Sequence, residues 1–348
     1  MTEPGTPGGL MPDRSRVFVA TRDEVVRLTL TGTQAHDVRA VLPVAAPQCV
    51  AVDPRDPDRV YVGTFDDGLY ASDDGGSTWR VAWEGIADRR VMSVGVSPSH
   101  VVNGVSVLYA GTEPSNLYRS EDGGKTWRLL PELRQLPSEP RWSFPPRPWT
   151  HHVSTIALHP TDPDSLTVGI ELGGVMRSRD GGATWIDHNP QAHSDAHQLL
   201  THPLAPERLY EVAGQGIAVS PDRGESWRRL DAGLDRHYAW ATAADPADPD
   251  LWYASISRGP YAAHGRGDGQ SLLLRSRSRD GWEAIDRWGE DAELRGMPYA
   301  LAALPGQPDR LLVGLRGGPM LVTGDAGETW DRLESQLPDV IGLAVAPA

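Results

Sequence analysis

Cysteine and lysine are almost missing from this chain of 348 residues. Cys49 is the single cysteine, so no internal disulfide can form and nothing in the sequence supports an oxidising compartment. Lys125 is the single lysine among 33 basic residues, and 47 acidic residues bring the formal net charge to −14. Nucleic acids and anionic membranes bind clustered positive charge. We therefore expect no nucleic-acid partner and no membrane partner.

Long apolar stretches are missing as well. No segment approaches the roughly 18 apolar residues that a membrane span requires. Residues 1–13 lack the basic start and the apolar centre of a signal peptide. These features predict a soluble, cytoplasmic, monomeric protein in which residues 1–13 form a flexible leader.

One eight-residue pattern, in contrast, is abundant. SDDGGSTW at residues 72–79 returns in four further versions, which end at Trp127, Trp185, Trp227 and Trp330, and a shortened copy occupies residues 278–282. Before each full copy come an apolar run, a proline-rich link such as DPRDPD, and two more β-rich runs; a fourth run follows it. Units of roughly 40–50 residues with four short strands are typical of β-propeller blades.

Counting the units predicts the whole architecture. Six complete units begin near Gln48, Val91, His152, Ala196, Tyr238 and Pro298. Residues 14–45 contain three further strand-like runs, and residues 339–348 contain one. Pairing these two ends closes the ring and removes exposed sheet edges. The prediction is an all-β fold, in which residues 14–348 form a single seven-bladed β-propeller with four-stranded antiparallel blades and the C-terminal strand pairs with the N-terminal strands.

The repeated pattern itself predicts a structural turn between the third and fourth strands of a blade. Its aspartate can accept backbone N–H groups, and its second glycine permits angles that a Cβ would forbid. The structural set is Asp74, Asp122, Asp180, Asp222 and Asp325 with Trp79, Trp127, Trp185, Trp227 and Trp330. The pattern resembles the Asp-box, or BNR, repeat of sialidases, xyloglucan-cleaving glycosidases, sortilin-type receptors and photosystem II assembly factors. That resemblance implies the fold, which carries unrelated activities.

If these turns occupy one face of the ring, functional residues are expected on the other, which we call the top face. Alignment of the inner strands on their closing proline puts varied, polar residues at the top. Imidazole and carboxylate groups there are ligands for zinc, iron, manganese or copper. The candidate ligands of a divalent metal cofactor are His152, His197, Glu171, Glu113 and His193.

A second set of candidates on the top face suits an organic ligand. Arginines can hold a carboxylate or a phosphate, so we expect a small anionic molecule or, alternatively, a protein partner. Insertions at 136–150 and 259–271 border this face and are expected to form binding walls. The candidate ligand-binding residues are Arg22, Arg90, Arg295, Arg316, His237, Tyr238, Trp240 and Tyr299.

Three functions stay open, and no catalytic residue can be assigned. The first is a small-molecule-binding propeller, in which a metal would support lyase, hydrolase or oxygenase chemistry. The second is a non-catalytic scaffold for protein binding or assembly. The third is a glycoside hydrolase; however, the Arg-Ile-Pro segment of the sialidases that the chain resembles is missing. The xyloglucan-cleaving relatives also use two facing propellers, where this chain predicts one.

Overall fold

Seven antiparallel sheets follow one another in the computed structural model, which describes residues 14–265, 269–278, 281–285, 288, 294, 296–333 and 337–347. The predicted leader 1–13 and Arg295 lie outside the described residues. Blade 1 contains β1 Arg14–Thr21, β2 Val25–Thr31 and β3 Gln34–Leu42, and blade 2 contains β4 Pro47–Asp53, β5 Asp56–Thr64, β6 Leu69–Ser72 and β7 Arg80–Val81. Blade 3 contains β8 Arg90–Val102, β9 Val105–Glu113, β10 Leu117–Ser120 and β11 Arg128–Leu129. Blade 4 contains β12 Val153–Leu158, β13 Leu166–Ile170 and β14 Gly174–Ser178.

The remaining three blades repeat this order, and the last strand returns to blade 1. In blade 4 a single bridge between Arg177 and Ile186 stands in the place of the outer strand. Blade 5 contains β15 Ala196–His202, β16 Ala205–Ala213, β17 Gly216–Ser220 and β18 Arg228–Arg229, and blade 6 contains β19 Tyr238–Ala244, β20 Trp252–Ser257, β21 Leu272–Ser276 and β22 Glu283–Ile285. Blade 7 contains β23 Pro298–Ala303, β24 Leu311–Leu315, β25 Met320–Thr323 and β26 Asp331–Leu333. The last strand, β27 Val340–Pro347, belongs to blade 1.

Closure of the ring depends on β27, which pairs antiparallel with β1 from Ser15 opposite Pro347 to Thr21 opposite Val340. The predicted seven-bladed, four-stranded, all-β fold with closure by the C-terminal strand is confirmed. Helical structure in the described residues is limited to α1, Pro260–His264, and two 3-10 turns at Pro131–Gln135 and Glu139–Arg141. None of the described helices combines the length and the apolar character needed to cross a membrane.

The second strands are buried along both faces because every blade is packed between two others. The end of β5 and all of β13 and β24 are continuous buried runs rather than alternating ones. Their side chains fill apolar layers between neighbouring blades; Leu28 of blade 1, for example, shares one cluster with Leu312 and Val322 of blade 7. Burial on both faces explains why these strands read as short hydrophobic stretches.

In each full copy of the repeated turn, the aspartate accepts hydrogen bonds from the hydroxyl and the backbone N–H of the residue four positions later. In the first, the Asp74 carboxylate accepts bonds from the Thr78 hydroxyl at 2.6 Å and from the Thr78 backbone N–H at 2.8 Å. These bonds, led by the one from the Thr78 hydroxyl, lower the pKa of Asp74 to about 2. Gly75 donates its N–H to the carbonyl of Asp58, near the start of β5. The turns therefore lie at the ring edge opposite the starts of the inner strands.

Candidate metal centre

Each inner strand has an irregularity near its first residue. The register between the first and second strands skips a position there, so the ladder contains a bulge, and bulges redirect side chains next to functional sites. In blades 5, 6 and 7 the residues at these bulges face one another's rings on the top face. The residues at the seven irregular positions are Gln48, Met92, Ser154, His197, Trp240, Tyr299 and Ile341.

Three potential metal ligands meet between blades 4 and 5. Glu171 directly follows β13, Asp195 directly precedes β15, and His197 is the bulged residue of β15. One ligand atom from each of these residues lies within 4.8 Å of those of the other two. In an antiparallel blade the second strand ends at the edge where the first begins. The alternation of strand direction therefore brings the three groups together.

His197 is oriented as a metal ligand would be. Its Nδ1 lies 2.6 Å from the carbonyl oxygen of Ala239, and only an N–H can donate to a carbonyl, so in the neutral form of the ring Nε2 carries the lone pair. That Nε2 is buried, has no hydrogen-bond partner among the described residues, and lies 3.7 Å from Oδ2 of Asp195. A carbonyl bonded to the far nitrogen is how proteins orient metal-binding histidines.

The pKa values of the two carboxyl groups, Glu171 and Asp195, are shifted in opposite directions. Burial would raise the pKa of Glu171, but His152, whose Nε2 lies 3.0 Å from Oε2, outweighs it and the pKa is lowered. Burial, reinforced by the charge of Glu171, raises the pKa of Asp195 in spite of the positive influence of His197. Adjacent carboxylates in a partly buried site resist simultaneous ionisation. A bound cation would favour both charged forms.

The other predicted ligands have different partners. His152 lies outside the group of three and contacts it through Glu171. The buried carboxylate of Glu113 accepts bonds from Nε of Arg147 at 2.7 Å and from Nη1 of Arg90 at 3.1 Å. His193 is buried against Glu211, with Nδ1 at 3.0 Å from Oε2. The structure therefore brings Glu171 and His197 together and adds Asp195, which the predicted ligand set had omitted.

Aromatic side chains form one wall of the centre. The ring centroid of Trp240 lies 4.6 Å from that of His197, and that of Tyr238 lies 4.9 Å from it. His264, at the end of α1, stands between the hydroxyls of Tyr238, at 2.6 Å from Nε2, and Tyr299, at 2.5 Å from Nδ1. The wall combines apolar ring surface with hydroxyl groups.

The remaining ligand-binding candidates are distributed unevenly. Arg316 lies beside this wall, with its guanidinium carbon 6.0 Å from the ring centre of Tyr299. Arg22 forms an exposed ion pair with Asp339 at 2.7 Å. His237 is exposed and contacts Asp231 at 3.0 Å. Of these three, Arg316 is the one placed against the wall.

Sequence reasoning missed two residues that lie in the insertions. His264 belongs to the insertion 259–271, and Arg147 belongs to 136–150. The second insertion also brings Phe144 against His152, with ring centroids 4.9 Å apart. Both segments were expected to form binding walls, but insertions have no repeat against which a single position can be aligned.

Comparison with known proteins bears on the fold. No family model matches the chain, and no curated protein sequence matches it. Among solved structures, an ancestral GH74 enzyme shares 17% identity at a TM-score of 0.61 over 82% of this chain and 38% of its own. The GH74 xyloglucanase from Xanthomonas campestris shares 19% identity at a TM-score of 0.61, over 83% of this chain and 45% of its own. The chain thus spans less than half the length of these enzymes.

A second group of similar structures matches along nearly its whole length. YCF48 bound to D1 peptide shares 16% identity at a TM-score of 0.58, covering 94% of this chain and 88% of its own. YCF48 from Cyanidioschyzon merolae shares 15% identity at a TM-score of 0.57, covering 94% and 90%. At these identities the likeness shows the fold. The resemblance of this chain to the seven-bladed propellers of the xyloglucan-cleaving and photosystem II assembly group is confirmed.

Proposed function

We propose that the top face binds a divalent transition metal through Glu171, Asp195 and His197 and holds a small anionic molecule beside it. The observation that supports this most strongly is the state of His197. A buried imidazole nitrogen with a free lone pair costs free energy unless something fills it. Here that lone pair faces two carboxylates, one of which has a raised pKa. A cation would satisfy all three groups at once.

The donor set indicates the kind of metal. One imidazole nitrogen with two carboxylates suits zinc, manganese, iron or copper, and three protein ligands leave coordination positions open. When bound, such an ion supplies Lewis acidity or an activated water, as lyase, hydrolase and oxygenase reactions require. His152 would orient Glu171, and Ala239 would orient His197.

The neighbouring wall would hold the organic ligand. Tyr238, Trp240 and Tyr299 offer ring faces and hydroxyls, and Arg316 adds a positive charge beside them. An aromatic surface with a few polar groups is the usual lining of a small-molecule site. The charge of Arg316 favours a ligand with a carboxylate or phosphate group.

Two other functions have support of a different kind. A protein-binding role is favoured by the near full-length match to YCF48, one structure of which is bound to a peptide. A glycosidase role is favoured by the GH74 matches and by the paired carboxylates Glu171 and Asp195. Neither of these roles requires the unpartnered Nε2 of His197, whereas metal binding does.

The test is direct metal binding by the purified protein. Elemental analysis and titration with Co²⁺ should give one equivalent bound, with a visible absorption spectrum. Trp240, whose ring lies 4.6 Å from that of His197, should show fluorescence quenching that is lost in Trp240→Phe. His197→Gln should weaken Co²⁺ binding by at least about 100-fold, since it removes a ligand outright.

The matched control is His237→Gln, an identical change at an exposed histidine that contacts Asp231. It should leave Co²⁺ affinity unchanged. Absence of stoichiometric metal in the wild type, or equal loss of binding in both variants, would reject the metal centre. The top face would then be tested as a peptide-binding surface.

A further inference from the structure

Where the first and second strands of a blade meet at the top face, their last two residues face each other across the sheet. We call this pair of residues the top rung of the blade. Facing residues on neighbouring strands contact each other directly. In three blades the top rung holds an acidic and a basic side chain in contact: Arg90 and Glu113 at 3.1 Å, His152 and Glu171 at 3.0 Å, and Arg22 and Asp339 at 2.7 Å.

The top rung of blade 5 differs from these three. It consists of Asp195 and Gly214, which are joined by a bond of 2.9 Å from the N–H of Gly214 to the carbonyl of Asp195. A Cβ added to Gly214 would lie 1.9 Å from Oδ2 of Asp195 and 2.8 Å from its Cγ. The carboxylate of Asp195 therefore occupies the space that a side chain at position 214 would fill.

The two oxygens of Asp195 have different surroundings. Oδ1 accepts a hydrogen bond of 3.2 Å from the backbone N–H of Leu172, the residue after Glu171. Oδ2 lies 3.7 Å from Nε2 of His197, which is buried and has no hydrogen-bond partner among the described residues. The backbone of blade 4 thus holds one oxygen, while the other faces a second atom that can bind a metal.

We propose that Gly214 is the specificity-determining position of the metal centre, because its missing side chain makes Asp195 a metal ligand instead of one half of a rung pair. Asp195 binds the ion through Oδ2, and Gly214 is a positioning residue that acts through Asp195. The same position in blade 4 carries Glu171, which contacts its rung partner His152. This inference rests on the proposed function and identifies the feature that distinguishes blade 5 from the other blades.

Replacement of Gly214 by alanine tests this arrangement with little risk to folding. The φ angle of Gly214 lies outside the left-handed region, so alanine can adopt its backbone conformation. The new methyl group would meet the end of a flexible side chain, which can rotate away. The unfolding midpoint in denaturant should therefore stay nearly unchanged, while the carboxylate leaves its place beside His197.

The first measurement is Co²⁺ binding followed by visible absorption. Gly214→Ala should weaken Co²⁺ binding by about 10- to 100-fold, the usual effect of losing a group that orients a ligand. Gly324→Ala is the matched control, because a Cβ at Gly324 would meet nothing within 4 Å, and it should change neither affinity nor stability. Equal Co²⁺ affinity in the wild type and Gly214→Ala would overturn the inference.

A double variant tests whether Gly214 acts through Asp195. Asp195→Ala removes the ligand and should weaken Co²⁺ binding by about 100-fold or more. Adding Gly214→Ala to it should cause no further loss, since effects that share one partner are not additive. The Co²⁺ spectrum of Gly214→Ala should also resemble that of Asp195→Ala. A further loss of affinity in the double variant would show that Gly214 acts on something else.

The last measurement needs no metal. Crystal structures of metal-free wild type and Gly214→Ala should show Oδ2 of Asp195 displaced from Nε2 of His197 in the variant. An unmoved carboxylate would overturn the inference, whether or not the protein binds metal. A wild type that binds no Co²⁺ would instead reject the proposed metal centre, and the two crystal structures would still decide whether position 214 controls the carboxylate.

Discussion

Replacing Arg147 by methionine should destabilise the protein far more than the same replacement of Arg90, although both arginines contact one carboxylate. The Glu113 side chain is 0% exposed. Arg147 reaches both of its oxygens from the insertion 136–150, whereas Arg90 contributes one bond of 3.1 Å and also contacts the exposed Asp66. The phenyl ring of Phe65 lies beneath both guanidinium groups.

The magnitude follows from burial. Breaking a buried ion pair by removing one partner costs about 3–5 kcal/mol, because the remaining charge is left in the interior. Arg147 is 25% exposed and Arg90 would remain, so we expect a loss of about 2–3 kcal/mol. Arg90 is 37% exposed, and exposed pairs contribute about 0–1 kcal/mol, so Arg90→Met should cost about 1 kcal/mol or less.

Denaturant unfolding at several pH values provides the assay. Burial would raise the pKa of Glu113, but Arg147, followed by His152 and Arg90, lowers it. The stabilisation is therefore complete above the ordinary glutamate range and is lost as the pH falls through the folded-state pKa. The difference in the free energy of unfolding between the wild type and Arg147→Met should therefore become smaller as the pH is lowered. Equal losses of unfolding free energy in Arg147→Met and Arg90→Met would refute this account. So would a difference between the wild type and Arg147→Met that does not change with pH.

Three further outcomes are expected. Deletion of residues 339–348 removes β27 and should unfold the propeller cooperatively; a melting curve like that of the full chain would contradict closure through β1. Asp180→Ala removes the acceptor of the Thr184 hydroxyl and N–H; because these bonds are exposed to solvent, the change should cost about 0.5–1.5 kcal/mol in denaturant unfolding while leaving Co²⁺ affinity intact. Weaker Co²⁺ binding without a loss of stability would show that the turns lie on the same face as the metal centre. Phe144→Leu, next to His152, should leave Co²⁺ stoichiometry at one by elemental analysis, and loss of the ion would show that the insertion shapes the centre itself.

The fold was predictable because repetition multiplies weak local signals. A single apolar run followed by a turn is ambiguous, but five full copies of one turn, each after the same proline-rich link, leave few architectures open. The matching runs at the two ends also predicted closure, since an unpaired strand would expose an edge. All of this information lies in short stretches of the chain, so it can be read from the sequence alone.

The site was predictable only in part. Glu171 and His197 were singled out because they occupy equivalent positions in neighbouring repeats. Glu113 and His193 occupy comparable positions, yet Arg147 and Glu211 engage them. No sequence spacing indicates which of several equivalent carboxylates an arginine from an insertion will reach.

By itself, then, the sequence determined the number of blades, the closure of the ring and the face on which polar groups gather, because the period of the repeat encodes these. The tertiary structure alone decided which groups converge. The bulge takes His197 out of the regular ladder, the Ala239 carbonyl binds its Nδ1, and α1 carries His264 between two tyrosines. The contacts of His197 with Ala239 and of His264 with Tyr299 join different blades, and His264 lies in an insertion, so they depend on distances that no periodic pattern specifies.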